Sequence, residues 1–358
     1  MKQLIKPNAL KHGDTIATVS LSWGGAGALR ERYDQGKRQF EQAFGVKIVE
    51  MPHALDTPDE VYDHPEHRLS DWMAALQNPE IKGILTNIGG DDTIRLLRHM
   101  TDAHFDIIRS NPKVFMGMSD TTVNHLMNFK AGVSSFYSAA LMFGYAENGG
   151  IPDYMIQNTR KTLFDTAPIG VLPESKEFII DFVDWGADSQ PKRPRLPSAP
   201  WRYISGAKTA QGCLIGGCFD VFSDIMGGTP VYPDVSEFEG SILFLEDCEE
   251  AMPPQIVTYW LRNLGARGIL ERISGLLFAR PGNGRFADDN DRATWLATYP
   301  QFDEAILKIL KEYGRADLPV VTNMDFGHTV PQLILPYGAL CEINPTARTV
   351  SILESGVK

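Results

Sequence analysis

The residues with the clearest chemical potential lie in Lys113-Val114-Phe115-Met116-Gly117-Met118-Ser119-Asp120-Thr121-Thr122. A short apolar run ends in glycine, then serine, then Asp-Thr-Thr, and Val123, Leu126 and Met127 follow at helical spacing. This pattern predicts strand, tight turn and helix. A serine at such a corner points its hydroxyl clear of the sheet. The first helical turn leaves its backbone N–H groups unpaired, and with the helix dipole these can hold a developing oxyanion. That is the logic of a nucleophile elbow, although Gly-x-Ser-x-Gly is absent because Thr121 stands two after Ser119. Read locally, Ser119 or Asp120 serves equally well as a plain helix cap.

Two further groups complete a chemical set. The apolar run Ser241 to Leu245 suits a buried strand and ends in Glu246-Asp247, followed by Cys248, Glu249 and Glu250. A carboxylate at a strand end is placed by rigid backbone, as catalysis requires. Of these four acids, one is expected in that role, and the others as a solvated loop before a helix from Pro253 to Leu264. His328 follows a glycine on the loop after the strand Leu318 to Thr322. A serine hydroxyl is a poor nucleophile until a histidine takes its proton, and a carboxylate then fixes the tautomer and stabilises the imidazolium. Ser119, Glu246 and His328 occur in the order nucleophile, acid, histidine, an order shared with the elbow hydrolases that does not by itself identify a fold.

The elements that must position these groups alternate. Thr15 to Ser20 is a strand candidate running into the glycine-rich turn at Gly24, Gly25 and Gly27, with a helix from Leu29 to Phe44. Such a turn can cradle phosphate, but the spacing is not Gly-x-Gly-x-x-Gly. Val46 to Met51 is a second strand. His64 and His67, three apart before a helix at Leu69 to Leu76, lack a third metal ligand at recognisable spacing and read as solvated. Ile81 to Ile88 is a third strand, ending in Gly89-Gly90-Asp91-Asp92, where backbone can approach a ligand closely. In an open parallel sheet the carboxyl ends of the strands are where ligands bind. The alternation of β and α to about Thr166 predicts a doubly wound, mostly parallel α/β domain.

The texture then changes. Asp184-Trp185-Gly186 leads into a stretch from Pro191 to Trp201 rich in proline and basic residues, with no surviving period. The expected organisation is a nucleophile-bearing β/α domain over 1–166, a linker or loop over 167–205, and a second β/α domain over 206–358 carrying the glutamate and histidine. The active site is then expected at the cleft between domains. In the loop, Trp201 reads as a packing anchor, whereas Trp185 is equally an anchor or a stacking wall for a planar ligand. Later expected elements include a helix at Phe219 to Met226, a strand at Gly275 to Arg280, one helix within Thr294 to Tyr313, and β segments at Leu333 to Gly338 and Thr349 to Leu353.

Composition bounds the function. A chain of 358 residues with 43% hydrophobic and 22% charged residues is ordinary for a globular protein with two domains. A net charge of −11 argues against a polymeric nucleic acid as partner. No apolar run is long enough to span a bilayer, and the segment from Met1 to Pro7 has no signal-peptide core. Cys213, Cys218, Cys248 and Cys341 lack Cys-x-x-Cys spacing, which fits free thiols in a reducing cytoplasm and gives no metal signal.

Four pieces in this order, Ile88-Gly89-Gly90-Asp91-Asp92, Gly117 to Thr122, Leu243-Phe244-Leu245-Glu246 and Phe326-Gly327-His328, make the sequence resemble the LD-carboxypeptidase family of serine peptidases. The resemblance implies a Ser119–Glu246–His328 triad built across two domains. It also implies an oxyanion hole from the N–H groups of Gly90 and Asp120, catalysis without metal or cofactor, and a homodimer. One branch of the family trims D-alanine from murein tetrapeptide. The other, the microcin C immunity peptidases, cleaves an aminoacyl-nucleotide amide. The Gly89 to Asp92 run and the tryptophan-bearing insertion look more like the second branch, in which an aromatic, here Trp185, stacks on adenine. The family usually has Asn-Leu after Gly216-Gly217, whereas Cys218-Phe219 stands here, which removes an amide donor and acceptor near the cleft. A non-catalytic nucleotide-binding module also fits the β/α alternation, but it leaves Glu246 and His328 without a role.

Overall fold

Among the described residues, short, nearly continuous apolar runs separated by glycine-rich turns and amphipathic helices form two large sheets with helices packed on them, beside one two-stranded antiparallel ribbon, Glu177–Phe178 with Leu196–Pro197. A computed structural model describes residues 3–182, 185, 192–248, 252–282 and 284–358. In chain order the strands are β1 (Thr15–Val19), β2 (Lys47–Glu50), β3 (Ile81–Thr86), β4 (Val114–Gly117), β5 (Phe136–Tyr137), β6 (Gly170–Val171), β7 (Glu177–Phe178) and β8 (Leu196–Pro197). They continue as β9 (Arg202–Ser205), β10 (Ala210–Cys218), β11 (Ile242–Glu246), β12 (Gly275–Ala279), β13 (Val320–Met324), β14 (Leu335–Pro336), β15 (Leu340–Asn344) and β16 (Thr349–Ile352).

The first sheet has the order β14-β5-β4-β3-β1-β2, and β1 to β5 run parallel. The sequence order reverses between β1 and β3, the crevice where doubly wound sheets hold ligands. The loops that leave these two strands carry Ser20 to Gly24 and Asn87 to Asp92. The second sheet has the order β6-β16-β15-β10-β11-β12-β13-β9, with a parallel centre of β10 to β13. This is the expected α/β class: a mostly parallel doubly wound sheet followed by a second β/α unit.

The two sheets are stitched together. Antiparallel β14, from the second half of the chain, closes the edge of the first sheet against β5. Segment 167–205 contributes β6 and β9 to opposite edges of the second sheet. Asp184, Gly186 and Pro191 lie outside the described residues, but Trp185 and Trp201 lie within them. Trp201 is 2% exposed, and its indole N–H donates to Asp325 Oδ2 at 2.8 Å, the anchoring role expected of it.

Several boundaries differ from expectation for local reasons. The helix bearing His67 begins at Pro65, four residues early, because proline suits the first helical turn. The single helix expected within Thr294 to Tyr313 is two, Asp289–Leu296 and Tyr299–Glu312, with Pro300 restarting the second in its first turn. Around Phe219 to Met226 the helical segment is a wide-turn piece, Asp220–Ile225.

Candidate active site

The chain reaches Ser119 at the end of β4, where the short turn Ser119–Thr121 leads into the helix Thr122–Ala131. Ser119 has φ of 57°, a left-handed conformation that costs a non-glycine residue energy and recurs at functional corners. Its backbone N–H donates to the Tyr137 hydroxyl at 3.0 Å. Gly89 lies directly against it, since a Cβ at Gly89 would stand 2.9 Å from Ser119 Cβ and 3.1 Å from its Oγ.

Asp120, expected to offer a backbone N–H, also acts through its side chain. Its Oδ2 accepts Ser22 Oγ at 2.5 Å, Thr93 Oγ1 at 2.5 Å and the Thr93 N–H at 2.8 Å. One buried carboxylate therefore ties the elbow to the loops leaving β1 and β3. Burial pushes its pKa up, against these hydrogen bonds. Gly90 sits on the β3 loop with φ of 153°, and a Cβ there would collide with Ser22 Oγ at 2.3 Å.

Glu246 ends β11 fully buried, and His328 follows β13 on a loop. The imidazole Nδ1 lies 2.7 Å from Glu246 Oε2 and 3.0 Å from the Asp247 carbonyl oxygen. Both partners are acceptors, so Nδ1 carries a proton; in the neutral imidazole Nε2 then holds the lone pair that a general base needs. Gly327 makes this approach possible: its φ is 84°, and a Cβ would stand 2.6 Å from Glu246 Oε2. The second carboxylate oxygen, Oε1, accepts the hydroxyl of Tyr137. Burial, and then the Glu246 charge, hold that phenol well above its ordinary pKa.

Asp247 departs from the expected solvated acidic loop. It is 1% exposed, its Oδ1 accepts the Gly282 N–H at 3.0 Å, and burial raises its pKa well above the carboxylate range. The apolar strand carries it inward with Glu246. Glu249 and Glu250 lie outside the described residues.

Ser119 and His328 line one cavity of about 600 Å³, together with Trp23, Leu29, Ile88, Gly89, Gly90, Asp91, Met118, Phe143, Phe182, Trp185 and Arg285. The cavity thus holds Ser119, His328, Gly90 and Trp185, while Glu246 stands behind His328. Trp185 is 8% exposed. The Arg32 guanidinium lies 4.9 Å over its ring, and the Phe182 ring is 5.2 Å away at 40°. Arg32 is itself held by Met142 O at 3.0 Å and by Glu147, and burial lowers its pKa to about 10. Cys218 lies beneath the site: fully buried, its Sγ donates to Asp220 Oδ1 at 2.8 Å and its N–H to Thr122 Oγ1 at 3.1 Å.

Sequence reasoning missed Tyr137, Phe143, Phe182 and Arg285. Arg285 lines the cavity with its guanidinium 5.1 Å over the Phe182 ring. No spacing rule flags such residues, because their relation to Ser119 is made by the fold alone.

Comparison with known proteins gives this geometry a family. The microcin C7 self-immunity protein MccF of Escherichia coli is 25% identical over 347 residues, covering 96% of this chain and 94% of MccF. A Bacillus subtilis protein named "Probable murein peptide carboxypeptidase" is 23% identical over 354 residues, covering 98% and 95% of the two chains. The solved MccF-like protein from Streptococcus pneumoniae, in complex with AMP, superposes with a TM-score of 0.82 at 28% identity, covering 95% of this chain and 98% of that one. MccF in complex with aspartyl sulfamoyl adenosine shares the fold, with a TM-score of 0.82 at 23% identity, covering 99% and 100%. The sequence profile of the LD-carboxypeptidase N-terminal domain matches residues 16–138 and that of the C-terminal domain residues 211–343. Matched in both halves and along nearly its whole length, the chain belongs to the LD-carboxypeptidase family.

Proposed function

We propose that the chain is a serine amide hydrolase in which Ser119, His328 and Glu246 form the triad, acting on aminoacyl-nucleotides of the aspartyl-adenylate type. The observation that carries the reading is the His328 Nδ1–Glu246 Oε2 contact of 2.7 Å on the wall of the cavity that Ser119 also lines. In this reading His328 Nε2 takes the Ser119 proton as Oγ attacks the amide carbonyl. The oxyanion is met by the N–H groups of Gly90 and Asp120. His328 then passes the proton to the leaving amine, and water, activated by the same imidazole, releases the acyl group from Ser119.

The nucleotide part of the reading rests on aromatic walls and on relatives. Trp23, Phe182 and Trp185 give the cavity flat apolar surfaces suited to a base. MccF is solved with aspartyl sulfamoyl adenosine, and a tryptophan-to-phenylalanine variant of it with adenosine monophosphate. The expected organisation, a unit over 1–166, a connecting segment over 167–205 and a unit over 206–358 acting as a cytoplasmic homodimer, belongs to the same proposal. Among the described residues no helix is long and apolar enough to cross a membrane. Turnover of an aspartyl-adenylate amide and of murein tetrapeptide, followed side by side by mass spectrometry, tests the substrate. Cleavage of the adenylate supports the reading, and cleavage of the tetrapeptide alone replaces it with murein recycling.

A further inference from the structure

Behind the wall of the cavity that carries Trp23 and Leu29, the fold assembles three histidines. His64 and His67 offered no third ligand by spacing, but the loop after β2 brings His53 and Asp56 to them. The His53 and His67 rings stack at 4.1 Å with 17° between planes, and the His64 and His67 rings at 4.7 Å with 22°. His67 is thus the middle of a three-imidazole stack. His53 Nδ1 lies 2.8 Å from Asp56 Oδ2, and His64 Nδ1 lies 3.1 Å from Glu66 Oε1. One ligand atom from each of His53, Asp56 and His67 falls within 4.8 Å of the others, and the same holds for His64, Glu66 and His67.

We propose that His53, Asp56 and His67 bind one zinc-class divalent transition-metal ion, with His64 beside the open coordination position. The donor set decides the class of ion. Imidazole nitrogens with one carboxylate suit Zn²⁺ and its neighbours, whereas Mg²⁺ and Ca²⁺ prefer oxygen alone. Bonds of about 2.0–2.2 Å at tetrahedral angles place neighbouring ligand atoms about 3.3–3.6 Å apart. The His53–Asp56 pair stands at 2.8 Å and so need open by less than about 1 Å, and the His67 ligand atom already lies within 4.8 Å of both.

The surroundings favour a cation. Residues 53–71 hold six acids (Asp56, Asp59, Glu60, Asp63, Glu66 and Asp71) against one base, Arg68. Arg68 and Arg95, the latter reaching the segment at the Tyr62 carbonyl, are both paired to Asp92, at 2.7 and 2.9 Å. The loop supplying His53 and Asp56 is already fixed. The His53 N–H donates to Asp71 Oδ2 at 2.8 Å, and the Ala54 carbonyl accepts Ser20 Oγ and Asn87 Nδ2, both at 2.8 Å. A Cβ on Gly27 would stand 2.2 Å from the Asp56 carbonyl oxygen, so the turn between Trp23 and Leu29 rests on this loop. An ion held here braces that turn from behind.

The test is calorimetric titration of the chelator-stripped full chain with Zn²⁺, beside Mg²⁺ as a control. The proposal expects one saturable Zn²⁺ per chain, no comparable Mg²⁺ binding, and at least a tenfold loss of Zn²⁺ affinity in His67→Gln and in His53→Ala. Zn²⁺ should also raise the thermal midpoint of the parent chain but not of His67→Gln, because only a native-state site gives that linkage. His67→Gln keeps size and surface polarity, which guards against a trivial folding loss. Absence of saturable binding overturns the proposal. So does binding that survives in both histidine variants but falls in Cys218→Ser, which would place the ion at the Cys218, Glu246 and His328 group instead.

Discussion

The Tyr137 hydroxyl donates to Glu246 Oε1 and at the same time accepts the Ser119 N–H at 3.0 Å. One phenol on β5 of the first sheet thereby connects the proposed nucleophile's backbone to the proposed acid on β11 of the second. It holds Glu246 from the side opposite His328, and it fixes the strained Ser119 corner without using the Oγ.

Tyr137→Phe removes this bridge and keeps the ring. A hydrogen bond to a charged group contributes about 1.5–3 kcal/mol, so kcat should fall roughly ten- to a hundredfold. The phenol touches the proposed triad and is not among the residues lining the cavity, so KM should stay within about twofold. Steady-state kinetics at saturating substrate read this directly, and an unchanged kcat would mean that the bridge does not position Glu246.

The three groups proposed as nucleophile, acid and base stood out in the sequence because each ends or closely follows an apolar strand. Ser119 follows β4, Glu246 closes β11 and His328 follows β13, and a run of apolar residues ending in one reactive group is visible without coordinates. Tyr137 was not legible, since its partners lie 18 residues before it and 109 after it. Asp247 was misread because sequence shows charge, not the fold that buries it with Oδ1 against the Gly282 N–H. The doubly wound, mostly parallel class of the first sheet followed from alternation, whereas β14 crossing to that sheet did not, because strand pairing at that separation leaves no periodic trace. His53 illustrates the same limit: it stands eleven and fourteen residues from the histidines it joins.

Trp185→Ala tests the proposed nucleotide substrate against the murein one. Stacking of a base on an aromatic ring is worth about 1–3 kcal/mol. Trp185→Ala should therefore raise KM for an adenylate substrate roughly five- to a hundredfold, with kcat changed little if the ring is gripped equally in ground and transition states. Murein tetrapeptide carries no adenine and should not share the loss. Equal impairment of both would make Trp185 an anchor that, with Arg32 and Phe182, only shapes the loop.

His125 gives the fold a pH signature. It is buried beneath the elbow, with Nδ1 2.8 Å from Ser135 Oγ and Nε2 3.0 Å from the Gly117 carbonyl oxygen. Burial lowers its pKa to about 4, below the value of about 6.5 for an exposed histidine. Between these values the unfolded chain binds the proton and the native state does not, so stability falls as pH drops from about 6.5 towards 4. Moving from pH 7 to pH 5 should cost about 2 kcal/mol through this residue. His125→Asn should flatten the profile by about that amount in urea unfolding, whatever its stability at pH 7. Parallel profiles for the two proteins would contradict a neutral buried His125.

The central claim is that Ser119 is a nucleophile activated by His328, and labelling with a fluorophosphonate probe followed by peptide mass spectrometry tests it most directly. The account predicts one label per chain, on Ser119, absent in Ser119→Ala and strongly slowed in His328→Ala and Glu246→Gln. Turnover should follow the same logic, with Ser119→Ala/His328→Ala losing little more than either single variant, because the groups act as a unit. An intact, folded chain that takes no label, or takes it on another residue, would contradict the account and leave a nucleotide-binding protein without serine chemistry.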